Sequence, residues 1–182
     1  MAFTAVLDAC VLAPHPHYAM LLRLAHEDLY RPAWSATILA ETERTLVDHL
    51  GRTPDKAAGR IAWMQDLFPD ANVTGYEPII DAMTNHPKDR HFLAAAVRAD
   101  AGVIVTANIK DFPAAACDPY DVVAITPDTF FLDLLDLDRR RTISAMRQMC
   151  DDYAKPPQSL TELASWIEDD MPGFARELRA EA

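Results

Sequence analysis

The chain is poor in the residues that mark several common protein classes. Its 182 residues include only 5 Gly, too few for a flexible glycine-rich linker or a collagen-like repeat. Three cysteines (Cys10, Cys117 and Cys150) form no CxxC pair. An odd thiol count does not build a disulfide framework, so reduced thiols are expected. No apolar run approaches the roughly 20 residues that cross a bilayer. Basic residues are scarce too: 17 Lys and Arg stand against 28 Asp and Glu, a net charge of −11. Such a surface lacks the positive footprint of a plain nucleic-acid-binding module. It leaves room for an enzyme whose metal ions offset the charge at one site. The opening "MAFTAVLDACVLAP" has no basic leader, and Asp8 interrupts its apolar run. No signal peptide is therefore expected, and the expected location is the cytoplasm.

What is present is a core. Half of the residues are hydrophobic, with 7 Phe and 3 Trp, which argues against disorder. "FTAVL" reads as a buried strand ending at Asp8, and the segment from His15 to Leu29 carries helical apolar spacing. A short strand follows at "LYRPAW", with Ser35 as N-cap of a helix running to about Leu50. A helix with Pro54 in its first turn ends near Leu67. "ANVTGY" gives a weak strand, Lys88-Asp89 opens a helix through Val97, and "GVIVT" and "DVVAIT" are two further strands. Strands alternating with helices indicate an α/β fold with a mostly parallel sheet. The last segment reads as two or three helices, with a loop at Pro156-Pro157 and Ser159 or Thr161 capping a new helix. Leu160, Leu163, Trp166, Ile167 and Phe174 are expected to pack in a core.

Acidic residues stand where such a sheet collects ligands, beyond the carboxyl ends of its strands. Asp8 follows the first strand and Asp111 lies just past "GVIVT" in "TANIKDFP". Asp89 opens a helix, on one stripe with Phe92, Leu93 and Ala96. Glu41 or Glu43 lies early in the Ser35 helix; the apolar face of Ile38, Leu39, Leu46 and Leu50 lies nearer Glu43. Taken singly, each acid has a plain reading as a cap, a turn residue or a solvated side chain. Together they suit a hard cation, because clustered carboxylates repel without one and oxygen ligands fit Mg²⁺ or Mn²⁺. Asp89, at a helix N-terminus, is expected to be kept ionised by the helix dipole. Metal-assisted phosphodiester hydrolysis is the chemistry that follows.

The segments "VLDACVL", "SATILAETERTL", "DRHFLAAAVRADAGVIVTANIKDFP" and "VVAITPDTFF" resemble, in order and spacing, the PIN-domain ribonucleases, and among them the VapC-type toxins of bacterial toxin–antitoxin pairs. The resemblance covers roughly residues 3–131, and its third segment is the most specific. It implies a three-layer α/β/α sandwich and a Mg²⁺- or Mn²⁺-dependent endoribonuclease that cuts RNA and is blocked by a cognate antitoxin. It also implies a homodimer. Carried over by position, Asp8, Glu41, Asp89 and Asp111 become the metal-binding acids, with Thr106 and Asn108 as supporting polar residues. The match through "S-x-x-I-L-x-E" selects Glu41 over Glu43. The expected division is a nuclease domain over 1–131 and a helical C-terminal extension over 132–182, like that of a larger VapC subgroup.

Other motifs carry less. "HPHY" (His15, His17, Tyr18) lacks further ligands at metal spacing and reads as a helix entry. Cys10 reads as a buried thiol. Arg139-Arg140-Arg141 suits either a solvated helix face or a contact to phosphate or to an acidic antitoxin segment. Two other functions stay open: a catalytically silent PIN-like binding protein, and an aspartyl-nucleophile phosphatase. The second is disfavoured because Cys10 stands where a second Asp is needed.

Overall fold

The computed structural model describes residues 3–182. Five strands form one sheet: β1 (Thr4–Leu7), β2 (Arg31–Ser35), β3 (Asn72–Val73), β4 (Val103–Val105) and β5 (Val123–Ile125), in the order β3-β2-β1-β4-β5. Every pairing is parallel, so the expected mostly parallel sheet is wholly parallel. β1 is central, and its Ala5, Val6 and Leu7 are fully buried, as a strand covered on both faces requires.

The chain divides into two compact units. The first comprises the described residues up to Pro14 together with Arg31–Ile125. It holds the sheet and α1 (Ala9–Leu12), α3 (Ala36–Asp48), α4 (Pro54–Leu67), α5 (Arg90–Arg98) and α6 (Ala114–Cys117). This is the three-layer α/β/α arrangement read from the sequence. Ser35 caps α3 as expected, its Oγ accepting from the Ile38 amide at 3.2 Å. The α3 core face differs at one end: Thr42 is buried, its hydroxyl donating to the Ile38 carbonyl, whereas Leu50 lies past the helix and is exposed. α6, a single turn of small residues after Pro113, was not legible, because four residues cannot display a helical period.

The second unit comprises His15–Tyr30 and Thr126–Ala182. It contains α2 (His17–His26), α7 (Pro127–Asp151), α8 (Leu160–Ile167) and α9 (Pro172–Ala180). The expected 131/132 boundary falls inside α7, and α2 groups with the C-terminal helices although it precedes β2 in the chain. α7 is kinked at Asp138, whose φ of −155° and ψ of 86° leave the helical region. Ser159, rather than Thr161, caps α8, accepting from the Glu162 amide at 3.2 Å.

The core of this unit is aromatic. Phe131 stacks on Phe174 with centroids 4.9 Å apart, and Tyr30 meets Phe130 edge-on, also at 4.9 Å. Leu160, Leu163, Ile167 and Phe174 are buried as expected, but Trp166 is 51% exposed, since its side chain falls off the inward stripe of α8. The Asp128 carboxylate caps α9 from another helix, accepting from the Gly173 and Phe174 amides at 3.1 and 2.7 Å. A Cβ at Gly173 would lie 2.8 Å from Asp128 Oδ2 and 2.9 Å from Leu132 Cδ1, so those side chains would have to shift. Arg139 is committed inside the unit, bonding Glu177 at 2.6 Å and Glu181 at 2.9 Å, and Arg141 donates to the Glu27 carbonyl.

Candidate metal centre

The first strand leads to β2 on one side and lies beside β4 on the other. Chain order therefore reverses between β1 and β4, and at such a switch point a crevice opens beyond the carboxyl ends of the strands. Leu7 and Val105 are register partners, so the residues that follow them, Asp8 and Thr106, emerge side by side. The Asp8 amide donates to the Val105 carbonyl at 3.1 Å, and the Thr106 hydroxyl donates to Asp8 Oδ2 at 2.6 Å. Asp8 Oδ1 accepts from the Cys10 amide at 3.1 Å, so Asp8 caps α1 while its carboxylate stays at the strand end, 5% exposed. Its cap reading and its site reading thus hold together.

"TANIKDFP" extends this arrangement. The Asn108 amide donates to Thr106 Oγ1 at 3.0 Å; Asn108 enters through its backbone, and its residue surface is exposed. A 3₁₀ turn over Ile109–Asp111 brings Asp111 round, and buried Phe112 anchors the end of the loop. A second 3₁₀ turn, Pro87–Asp89, carries Asp89 to the start of α5. The two turns are fastened to each other, because the His86 amide donates to the Asp111 carbonyl at 3.1 Å.

Ligand atoms of His86, Asp89 and Asp111 all lie within 4.8 Å of one another. His86 Nδ1 is 3.1 Å from Asp89 Oδ2. Burial raises the Asp89 pKa above its ordinary value; the charge of Asp111 raises it further, the hydrogen bond from His86 offsets part of this, and Asp8 adds to the rise. The expected stabilisation of the Asp89 carboxylate by the helix dipole is therefore opposed, and the net shift is upward. Asp89 makes no capping hydrogen bond to α5, and desolvation and like charge outweigh a dipole it does not engage.

Asp8, Asp89 and Asp111 are thus brought into electrostatic reach, with Thr106 bonded to the first. Glu41 is not among the groups acting on Asp89 and lies outside the His86–Asp89–Asp111 group. Its Oε1 lies 3.2 Å from His91 Nε2 on α5, yet neither buried ring nitrogen of His91 has hydrogen-bond geometry to any partner. The contact is one of proximity between a carboxylate and an imidazole rather than an aligned bond. Glu43 makes no side-chain hydrogen bond or ion pair among the described residues. His86 and His91 were missed by sequence reasoning. A signal for the first existed, since "HPKD" sets a histidine three residues before Asp89 and Pro87 biases it to extended backbone (φ −52°, ψ 130°).

The donor set fits a hard divalent cation. Two carboxylates and an imidazole lie within 4.8 Å of one another, and the charged groups acting on Asp89 are Asp111, Asp8 and His86, with no Lys or Arg among them. An ion there would relieve the repulsion that raises Asp89. Cys10, beside Asp8, is no competing nucleophile: burial, then the Asp8 charge, push its thiol up to about 12. No metal-ligand group is found around His15 and His17 among the described residues; His17 is buried, with Asp170 at 3.5 Å. A cleft of about 430 Å³ lies elsewhere, near the amino ends of β1 and β2, lined by Arg31, Asn72 and Arg98 among others, and includes none of the predicted site residues. No described helix is long and apolar enough to cross a membrane.

Comparison with known proteins identifies related families. Residues 4–110 match the family model for the PIN domain, and residues 127–180 match that for the VapC50 C-terminal domain. A Mycobacterium tuberculosis protein named "Putative ribonuclease VapC50" is 47% identical over 105 residues, 58% of this chain. The aligned region spans 62% of that relative's own length. No solved structure matches the chain.

Proposed function

We propose, from the premise that this chain belongs to the PIN-domain family and carries a VapC50-type C-terminal domain, that it is a metal-dependent endoribonuclease. The observation that carries the reading is the Asp8–Thr106 pair at the switch point, with Asp89 and Asp111 in electrostatic reach. Asp8, Glu41, Asp89 and Asp111 would hold Mg²⁺ or Mn²⁺, which would supply Lewis acidity at the phosphoryl group and make the attacking water more acidic. Thr106 fixes the Asp8 carboxylate, and Asn108 fixes Thr106 through its amide. The reaction is hydrolysis of an RNA phosphodiester: a water oxygen adds to phosphorus as one P–O ester bond breaks.

In the cell this activity is that of the toxin of a toxin–antitoxin pair, a cytoplasmic homodimer held inactive by a cognate antitoxin. The support is the likeness to the relative named above and to its C-terminal domain. The test is RNA cleavage by the purified chain in Mg²⁺ or Mn²⁺, with Asp8→Asn and chelator controls, alongside growth of bacteria expressing each form. Cleavage and growth arrest by the parent alone are expected. If neither form cuts RNA and both allow equal growth, the chain is a silent PIN-like binding protein.

A further inference from the structure

The structure also bears on which ion the centre selects, a point that rests on the metal-dependent reading above. Among the described residues, the donors that lie mutually closest are not all carboxylates; one is the imidazole of His86. Its position is built rather than incidental. The His86 amide is tied to the Asp111 carbonyl at 3.1 Å, and the Asp89 amide donates to the His86 carbonyl at 2.9 Å. Pro87, between them, stiffens the turn. The ring lies within 4.8 Å of ligand atoms of both acids, and its side chain is 48% exposed.

Nδ1 faces Asp89 Oδ2 at 3.1 Å. That separation suits a hydrogen bond, and it equally suits two adjacent ligands of one ion. Ligands at about 2.1 Å in an octahedron are about 3.0 Å apart along an edge. A cation entering between them takes the place of the bridging proton. Mg²⁺ prefers oxygen donors and keeps its waters; Mn²⁺ also favours oxygen, but as a first-row transition metal it accepts an imidazole nitrogen more readily than Mg²⁺ does. A nitrogen donor among carboxylates therefore tilts the site from Mg²⁺ toward Mn²⁺.

We propose that His86 is a metal ligand of this centre, giving it one nitrogen and several oxygen donors and a preference for Mn²⁺ over Mg²⁺. The plain alternative is a histidine and an aspartate paired three residues apart, with no part in metal binding.

The test uses the full chain with Mn²⁺ alone and with Mg²⁺ alone, by calorimetry and by pulsed electron paramagnetic resonance of the Mn²⁺ form. Expected are tighter binding of Mn²⁺ than of Mg²⁺, and a nitrogen coupling on the Mn²⁺ signal. His86→Ala removes that coupling and weakens Mn²⁺ binding by at least the roughly tenfold that loss of even an outer-shell partner costs, with a smaller effect on Mg²⁺. Circular dichroism checks that the variant remains folded. Asp89→Asn, weakening both ions, localises them to the centre. Mn²⁺ bound with no nitrogen coupling, or with coupling and affinity retained in His86→Ala, overturns the assignment of His86 and leaves the metal-dependent reading standing. Absence of any binding of either ion overturns both.

Discussion

The Thr106 hydroxyl donates a hydrogen bond to Asp8 at 2.6 Å, joining the ends of two neighbouring parallel strands 98 residues apart in sequence. The bond is charge-assisted and wholly buried, so it fixes the carboxylate more firmly than a solvated contact would. Thr106→Val keeps the shape and removes the donor. Chemical denaturation is expected to show a loss of about 1.5–3 kcal/mol, the range for hydrogen bonds to charged groups. RNA cleavage is expected to fall with it, and Thr106→Ser to recover most of both. Unchanged stability in the valine variant would mean that the bond does not hold Asp8.

The raised pKa of Asp89 has a definite sign. Unfolded, the group titrates near its ordinary value of 3.8; folded, it titrates higher. Between the two values the folded state holds more protons, so this group's contribution to stability falls as pH rises through that window and stays low above it. In metal-free protein, Asp89→Asn is therefore expected to be more stable than the parent at pH 7. The difference vanishes below the unfolded value. Denaturation curves in chelator at both acidities measure it, and a destabilised variant at neutral pH would contradict the account.

Glu41 approaches α5 at His91, while Glu43 makes no polar contact among the described residues. Replacing each by Gln separates them by metal affinity. Glu41→Gln is expected to weaken Mn²⁺ binding, and Glu43→Gln to leave it unchanged. A loss confined to the Glu43 variant reverses the assignment.

In the second unit, Asp128 caps α9 at the point where Gly173 permits close approach. Asp128→Ala is expected to cost about 1 kcal/mol, as loss of a cap does. Gly173→Ala destabilises as well, because its Cβ meets the same carboxylate and Leu132. The two are expected to be non-additive: the alanine costs less once the carboxylate is gone, which a double-mutant cycle reads directly.

The strands were legible because buried parallel strands are short apolar runs, and "FTAVL" and "GVIVT" are hard to read otherwise. Capping was legible at Ser35 because it depends on neighbouring residues only. What escaped notice depends on long-range placement. The membership of α2 in the C-terminal unit is visible in packing alone, and the exposure of Trp166 depends on where α8 turns its face. The relation of His86 to Asp89 is local, but its bond to Asp111 joins residues 25 positions apart and has no local signature. The upward shift of Asp89 was not legible for a like reason, since a dipole argument sees one helix and the shift comes from burial and from Asp111.

The middle place of β1 governs when the centre comes into being during synthesis. The strand made first needs β2 on one side and β4 on the other, and Thr106 cannot reach Asp8 until the ribosome has released the chain beyond it. At about 5–20 residues per second, Asp8 waits on the order of several seconds to tens of seconds for its partner. A growing chain thus carries its first acid without the residue that orients it. The centre assembles only after most of the first unit has been made, and a fragment that ends before Thr106 lacks the bond that orients Asp8.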